Sequence, residues 1–192
     1  MVKKLSILII FIGICMISLG GYQYVKLQFA QKDSLAEAKK VIKKSQRKPA
    51  SLQEEPFEPK QSDVVGILEI PRLKAKLPIV EGTDEDDLKK GVGHYKGTAY
   101  PLGNDQIVLS GHRDTVFRKM GELIIGDELI IQLPYGRFEY QIESTKIVSA
   151  DDLTVIKPTA PNEVLTVTTC YPFSYVGDAP ERYIITAKPI NK

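Results

Sequence analysis

Reactive side chains are scarce in this chain: its 192 residues include only two cysteines and two histidines. Two cysteines allow at most one disulfide, which excludes a scaffold stapled by several. Cys15 lies inside an apolar run suited to lipid, so Cys170 is left as a free thiol, a sign of reactivity or of intermolecular pairing. Strong charge is also missing. The net charge is +2, and the basic excess is concentrated near the N-terminus, so no general nucleic-acid footprint is present. No internal repeat is visible, and after residue 63 helix-type periodicity is nearly absent.

One long hydrophobic run stands out. Lys3 and Lys4 precede residues 5–25, which carry no charge before Lys26. A bilayer needs roughly 20 apolar residues, so the run is long enough to span one. The preceding lysines predict a cytoplasmic N-terminus with the remainder exported, and Tyr22 and Tyr24 suit the far interface. The competing reading is a cleaved signal peptide, because Ser18-Leu19-Gly20 resembles a cleavage site. The length of the run favours the anchor. Residues 26–48 are basic and helix-permissive, with an imperfect 3.6-residue pattern in Leu27, Leu35, Ala38, Val41 and Ile42. They are expected to form a solvated stalk, with an anionic surface as the alternative contact. Residues 49–62 are rich in proline and glutamate and read as a linker. The chain therefore divides into an anchor (1–25), a stalk and linker (26–62) and an exported domain (63–192).

Within that domain, β-type segments at 64–70, 76–80, 106–110, 128–133, 137–148, 164–169 and 182–187 are separated by Gly, Pro, Asp and Asn. Phe138, Tyr140 and Ile142 alternate with polar neighbours, as on a half-buried strand. Only 83–90 reads as a helix of any weight, with Thr83 as its N-cap. Short strands with few helices imply a mainly all-β fold, either a closed or nearly closed barrel or a sandwich.

The chemistry gathers around residues 165–182. A β-branched run leads into Cys170, and Pro172 forbids continuation as an interior strand, so the thiol falls at a strand end. A buried cysteine that only packs is the commoner case. The polar Thr168 and Thr169 and the proline-bounded loop argue for a reactive one instead. A thiolate is the nucleophilic form, and a nearby cation favours it. His112, in Ser110-Gly-His-Arg-Asp-Thr115, also follows a strand and is preferred as acid and base; His94, in Gly91-Val-Gly-His-Tyr95, is the alternative or a positioning residue. Arg182, at the start of the last strand, can hold a substrate carbonyl or an oxyanion. Arg113 and Arg118 compete for that role, and a surface ion pair is the plainer use of Arg182.

The order His112, Cys170, Arg182, with Thr168-Thr-Cys-Tyr-Pro-Phe173 and Ala179-Pro-Glu-Arg-Tyr183, resembles the sortases, membrane-anchored cysteine transpeptidases of Gram-positive bacteria. Gly91-Val-Gly-His-Tyr95, Gly97-Thr-Ala99 and Gly126-Asp127 support the match. The short anchor, the compact domain and the lack of a C-terminal hydrophobic tail look most like class D. The resemblance implies a closed eight-stranded barrel with one or two short helices, preceded by a transmembrane helix. It implies cleavage of an LPxT-type sorting signal after threonine through a thioester on Cys170, then transfer to a peptidoglycan-precursor amine, on lipid II or a diaminopimelate. Thr169, Tyr171 and His94 are the expected substrate contacts. The expected partners are exported proteins bearing that signal, the wall precursor and the membrane, with a monomeric catalytic domain; no cofactor, metal or nucleic acid is expected. Consecutive acids at Asp84, Glu85, Asp86 and Asp87 suit a helix start better than a calcium site. A displayed non-catalytic binding module is the alternative. An L,D-transpeptidase lacks its Ser-His-Gly-Cys box here, and a papain-like protease would place cysteine before histidine.

Overall fold

A computed structural model of the chain describes residues 2–45, 57–173 and 177–190. No proline interrupts the first 45 residues, and a single helix, α1 (Val2–Ser45), runs through both the apolar run and the basic segment. Its first half is long and apolar enough to cross a membrane, and its large side chains from Leu5 to Val25 are exposed. The second half is not a solvated stalk. Ser34 and Ala38 are buried, and Leu35 and Ile42 pack with Val64, Ile67 and Val80 of the following domain. Small side chains at a four-residue spacing let the helix lie close against the strands. Residues 49–56 of the expected linker lie outside the described residues.

The strands are β1 (Val64–Ile70), β2 (Ala75–Glu81), β3 (Val92–His94), β4 (Gln106–Ser110), β5 (Glu128–Leu133), β6 (Gly136–Ser149), β7 (Val164–Tyr171) and β8 (Glu181–Pro189). They close into a barrel in the order β1-β2-β3-β4-β7-β8-β6-β5. Closure leaves no free sheet edge to seed aggregation. Two pairings are parallel, β2 with β3 and β4 with β7, and the rest are antiparallel. β3 has no counterpart among the strands read from composition. Three residues are too few to show alternation, and its place is secured by neighbours on both sides.

Alternation decides which side chains fill the barrel. Ile107 and Leu109 of β4, Leu165 and Val167 of β7, and Ile185 and Ala187 of β8 are buried in one core with Leu68, Ile131 and Tyr140. Each large apolar side chain so buried contributes about 1.5–3 kcal/mol relative to exposure. The helix expected at 83–90 is α2 (Glu85–Lys90), one turn and a half whose N-cap position is Asp84 rather than Thr83. Asp87 is not free for a cation: Gln61 Nε2 donates to its carboxylate at 2.6 Å and Ser62 Oγ at 2.5 Å.

Candidate active site

β4 and β7 run parallel with Ser110 opposite Thr168, so His112 and Cys170 leave the sheet at the same end of the barrel. On the other side of β7, Cys170 is the direct cross-strand partner of Arg182 in β8. Directly opposed residues on one face of an antiparallel pair hold their Cβ atoms within about 5.5 Å. All three side chains line one groove of about 300 Å³. Its floor is the outward face of the sheet, with Val108 of β4, Thr166 and Thr168 of β7, and Ile184 of β8.

The walls come from two places. One is the β6–β7 connection, through Ala150, Asp152, Leu153, Val155 and Ile156; the other is Thr83, Leu88 and Tyr95. Gln106 anchors the first wall. Its side-chain amide is buried, donates to the Val155 carbonyl at 2.8 Å and accepts from the Lys157 N–H at 2.8 Å. Asp105 Oδ1 accepts the backbone N–H groups of Thr159 and Ala160, and with the N–H of Gln106 they hold its carboxyl below the usual range. Neither anchor has a local sequence signature, because the partners lie 49 and 54 residues away.

Backbone pairing also places the loop that carries His112. The Gly111 N–H donates to the Thr168 carbonyl at 3.2 Å, and the Gly111 carbonyl accepts the Thr169 hydroxyl at 2.7 Å. A side chain at 111 would strike the Phe117 ring at 2.5 Å, so only glycine fits there. The His112 carbonyl then accepts the Thr115 and Phe117 N–H groups, turning the chain back. Among the described residues, neither the His112 ring nor the Cys170 thiol makes a hydrogen bond.

Strand alternation separates the remaining expected contacts from the groove floor. Thr169 and Tyr171 flank Cys170 and therefore project from the other face of β7. Thr169 still borders the groove, but it is 4% exposed, and its hydroxyl is committed to Gly111. Tyr171 packs with Phe173 and Tyr183 at ring separations of 5.6 and 6.2 Å and is absent from the groove lining. His94 is 1% exposed and also absent from that lining. Its Nδ1 lies 2.7 Å from Glu81 Oε2, its Nε2 lies 2.9 Å from the Ala99 carbonyl, and its ring stacks on Tyr100 at 3.9 Å. Burial raises the Glu81 carboxyl, but hydrogen bonds from His94 and Tyr100 outweigh it and hold the group below its ordinary value. Burial, together with the same carboxylate, pushes the Tyr100 hydroxyl far up.

Arg182 makes no ion pair among the described residues. Its Nη1 donates to the Ala179 and Glu181 carbonyls at 3.1 and 3.0 Å, which orients the guanidinium from its own strand. Arg113, the residue after His112, has a different use. It is buried, donates to the Pro172 carbonyl at 3.1 Å and to the Gly177 carbonyl at 2.8 Å, and so ties the β7–β8 loop to the histidine loop at two points.

A sortase domain model matches residues 68–190, the whole barrel but for its first few residues. The chain is 48% identical over 197 aligned positions to Sortase D of Bacillus subtilis (strain 168), covering 99% of this chain and 100% of that one. The chain belongs to the sortase family. Solved sortases share the architecture: a Clostridium perfringens Sortase D5 transpeptidase matches with a TM-score of 0.71 at 27% identity, covering 84% of this chain and 99% of that one. Sortase C from Clostridium perfringens SM101 matches with a TM-score of 0.62 at 28% identity, covering 90% and 98%. This sortase is thus a transpeptidase most similar to class D, built on a closed eight-stranded barrel with an N-terminal apolar helix.

Proposed function

We propose that this sortase joins exported proteins to the cell wall through Cys170. The Cys170 thiolate attacks the carbonyl carbon of threonine in an LPxT-type signal, and a C–S bond forms as the carbonyl oxygen takes up the negative charge. The tetrahedral intermediate collapses, the C–N bond breaks, and His112 gives its proton to the departing amine. An amine of the peptidoglycan precursor, on lipid II or a diaminopimelate, then loses a proton to His112 and attacks the thioester. A new C–N bond forms and the thiolate leaves. Arg182 Nε and Nη2, which make no hydrogen bond among the described residues, are donors for the substrate carbonyl and the oxyanion. The N-terminus lies in the cytoplasm and the barrel outside, anchored by one span.

The observation that carries this reading is the convergence of Cys170, His112 and Arg182 on one groove from three different chain segments. The groove's floor along Val108, Thr166, Thr168 and Ile184 suits an extended peptide, and its anchored wall suits recognition of a short motif. The test is to incubate the protein with LPxTx peptides, varied at each position, with and without a diaminopimelate-type amine. Peptide cleaved after threonine and joined to the amine, with no product from Cys170→Ala, is expected. Peptide recovered intact at high enzyme concentration would overturn it.

A further inference from the structure

The docking of α1 fixes which end of the barrel meets the membrane. The uncharged run from Leu5 to Val25 has 21 residues. At about 1.5 Å per residue it measures roughly the 30 Å of a hydrocarbon core, so Tyr22 to Lys26 mark the outer interface. Just beyond that point the helix meets the barrel. Tyr24, Val25 and Phe29 face Leu77 and Pro78 of β2 and Val116 of the histidine loop across a cleft of about 590 Å³. Farther from the membrane, Val41 and Ser45 face Val64, Tyr100 and Tyr135, at the opposite end of the barrel.

The end nearest the lipid is therefore the catalytic one. Beside the Cys170 end of β7 and the β7–β8 loop, it includes the β1–β2 turn and the segment 111–127, which carries His112. An ion pair between Arg72 and Asp127 at 3.3 Å, and an Arg72 hydrogen bond to the Glu122 carbonyl at 3.0 Å, join these two pieces into one rim. The turn and the first residues of β2, 71–76, carry Arg72, Lys74 and Lys76 and no acidic residue. Arg72 is paired with Asp127 and Lys76 with Glu69, whereas Lys74, Arg118 and Lys119 are exposed and make no ion pair among the described residues. On the same segment as Arg118 and Lys119, between the exposed Glu122 and the Arg72-paired Asp127, Ile124 and Ile125 are 54% and 66% exposed. Adjacent exposed isoleucines beside unpaired cations fit an interface with anionic headgroups above and acyl chains below.

We propose that this rim is a membrane-contact surface: Lys74, Arg118 and Lys119 rest on anionic headgroups of the leaflet from which α1 emerges, and Ile124 and Ile125 enter it. The end of the groove that holds Cys170 and His112 is then kept near the lipid surface. The proposal rests on the reading of α1 as a membrane anchor.

Absence of tryptophan from the chain makes single reporters straightforward. Ile125→Trp on the rim, Leu102→Trp on an exposed site at the far end (69% exposed) and Ile12→Trp in the span are each placed in the full chain. The proteins are reconstituted in phosphatidylglycerol–phosphatidylethanolamine vesicles whose lipids are brominated either near the headgroup or near the chain ends. Deep bromines should quench Ile12→Trp and shallow bromines Ile125→Trp, with Leu102→Trp unaffected. Adding Lys74→Glu and Lys119→Glu, or replacing the anionic lipid by phosphatidylcholine, should reduce quenching at position 125 severalfold. Quenching at 12 without quenching at 125 would overturn the contact surface and leave the anchor standing. No quenching at 12 would remove both.

Discussion

His94 and His112 both follow a glycine and both sit where a strand of the same sheet gives way to a loop, yet the barrel treats them in opposite ways. His94 lies among Glu81, Ala99 and Tyr100 with both ring nitrogens engaged. His112 is half-buried on a loop pinned by backbone bonds at Gly111, with its ring left uncommitted among the described residues. A satisfied imidazole stabilises a fold, and one that can still gain and lose a hydrogen bond can move protons. The difference arises from what surrounds each histidine rather than from its local sequence.

The sharpest break between the two regions is at the thiol. Cys170→Ala should abolish the acyl-enzyme entirely, as read by peptide turnover. Next, His112→Ala and Arg182→Ala should each lower kcat/KM by at least ~100-fold, the usual cost of losing an acid–base group or an oxyanion donor. Near-normal turnover in Arg182→Ala would remove it from the mechanism. Arg113→Ala should slow acylation about tenfold, or ~1.4 kcal/mol, because the β7–β8 loop loses its tie to the histidine loop. Arg113→Lys, which cannot reach both carbonyls with one fork, should recover only part of that rate.

His94→Ala should behave differently in kind. It should cost about 3 kcal/mol in urea unfolding, by leaving Glu81 buried without its imidazole, while the folded fraction retains most of its turnover. If its turnover fell as far as that of His112→Ala, the assignment of the base would be reversed. The smallest effect concerns acid. The Glu81 carboxyl is held below its ordinary value of 4.5, so its contribution to stability is present above about that pH and is lost as pH falls through the lower native value. Glu81→Gln should therefore flatten part of the acid-side fall in melting temperature. An unchanged acid limb would show that another group dominates there.

Much of this arrangement is legible in the residue order. The β-branched run ending at Pro172 places Cys170 at a strand end, and the composition after residue 63 gives the all-β class. Alternation along 164–171 also shows that Thr169 and Tyr171 cannot share a face with Cys170, although their nearness in sequence suggests substrate contact. Other features are not local. Gln106 and Arg113 act on carbonyls 49 to 64 residues away, so no window around either residue reveals its partner. The apolar stripe of α1 is visible through Leu35, Ala38 and Ile42, but the surface that covers it exists only once β1 and β2 have paired. β3 is defined by its neighbours alone.

The central claim is that Cys170 carries the acyl group while His112 moves the protons. Intact-mass analysis of the full chain, quenched in acid after brief exposure to an LPxT-type peptide, tests it directly. One acyl adduct is expected, mapped to Cys170, released by hydroxylamine and cleared by a diaminopimelate-type amine, with its formation slowed in His112→Ala. An adduct on another residue, or product formed with Cys170→Ala, would contradict it.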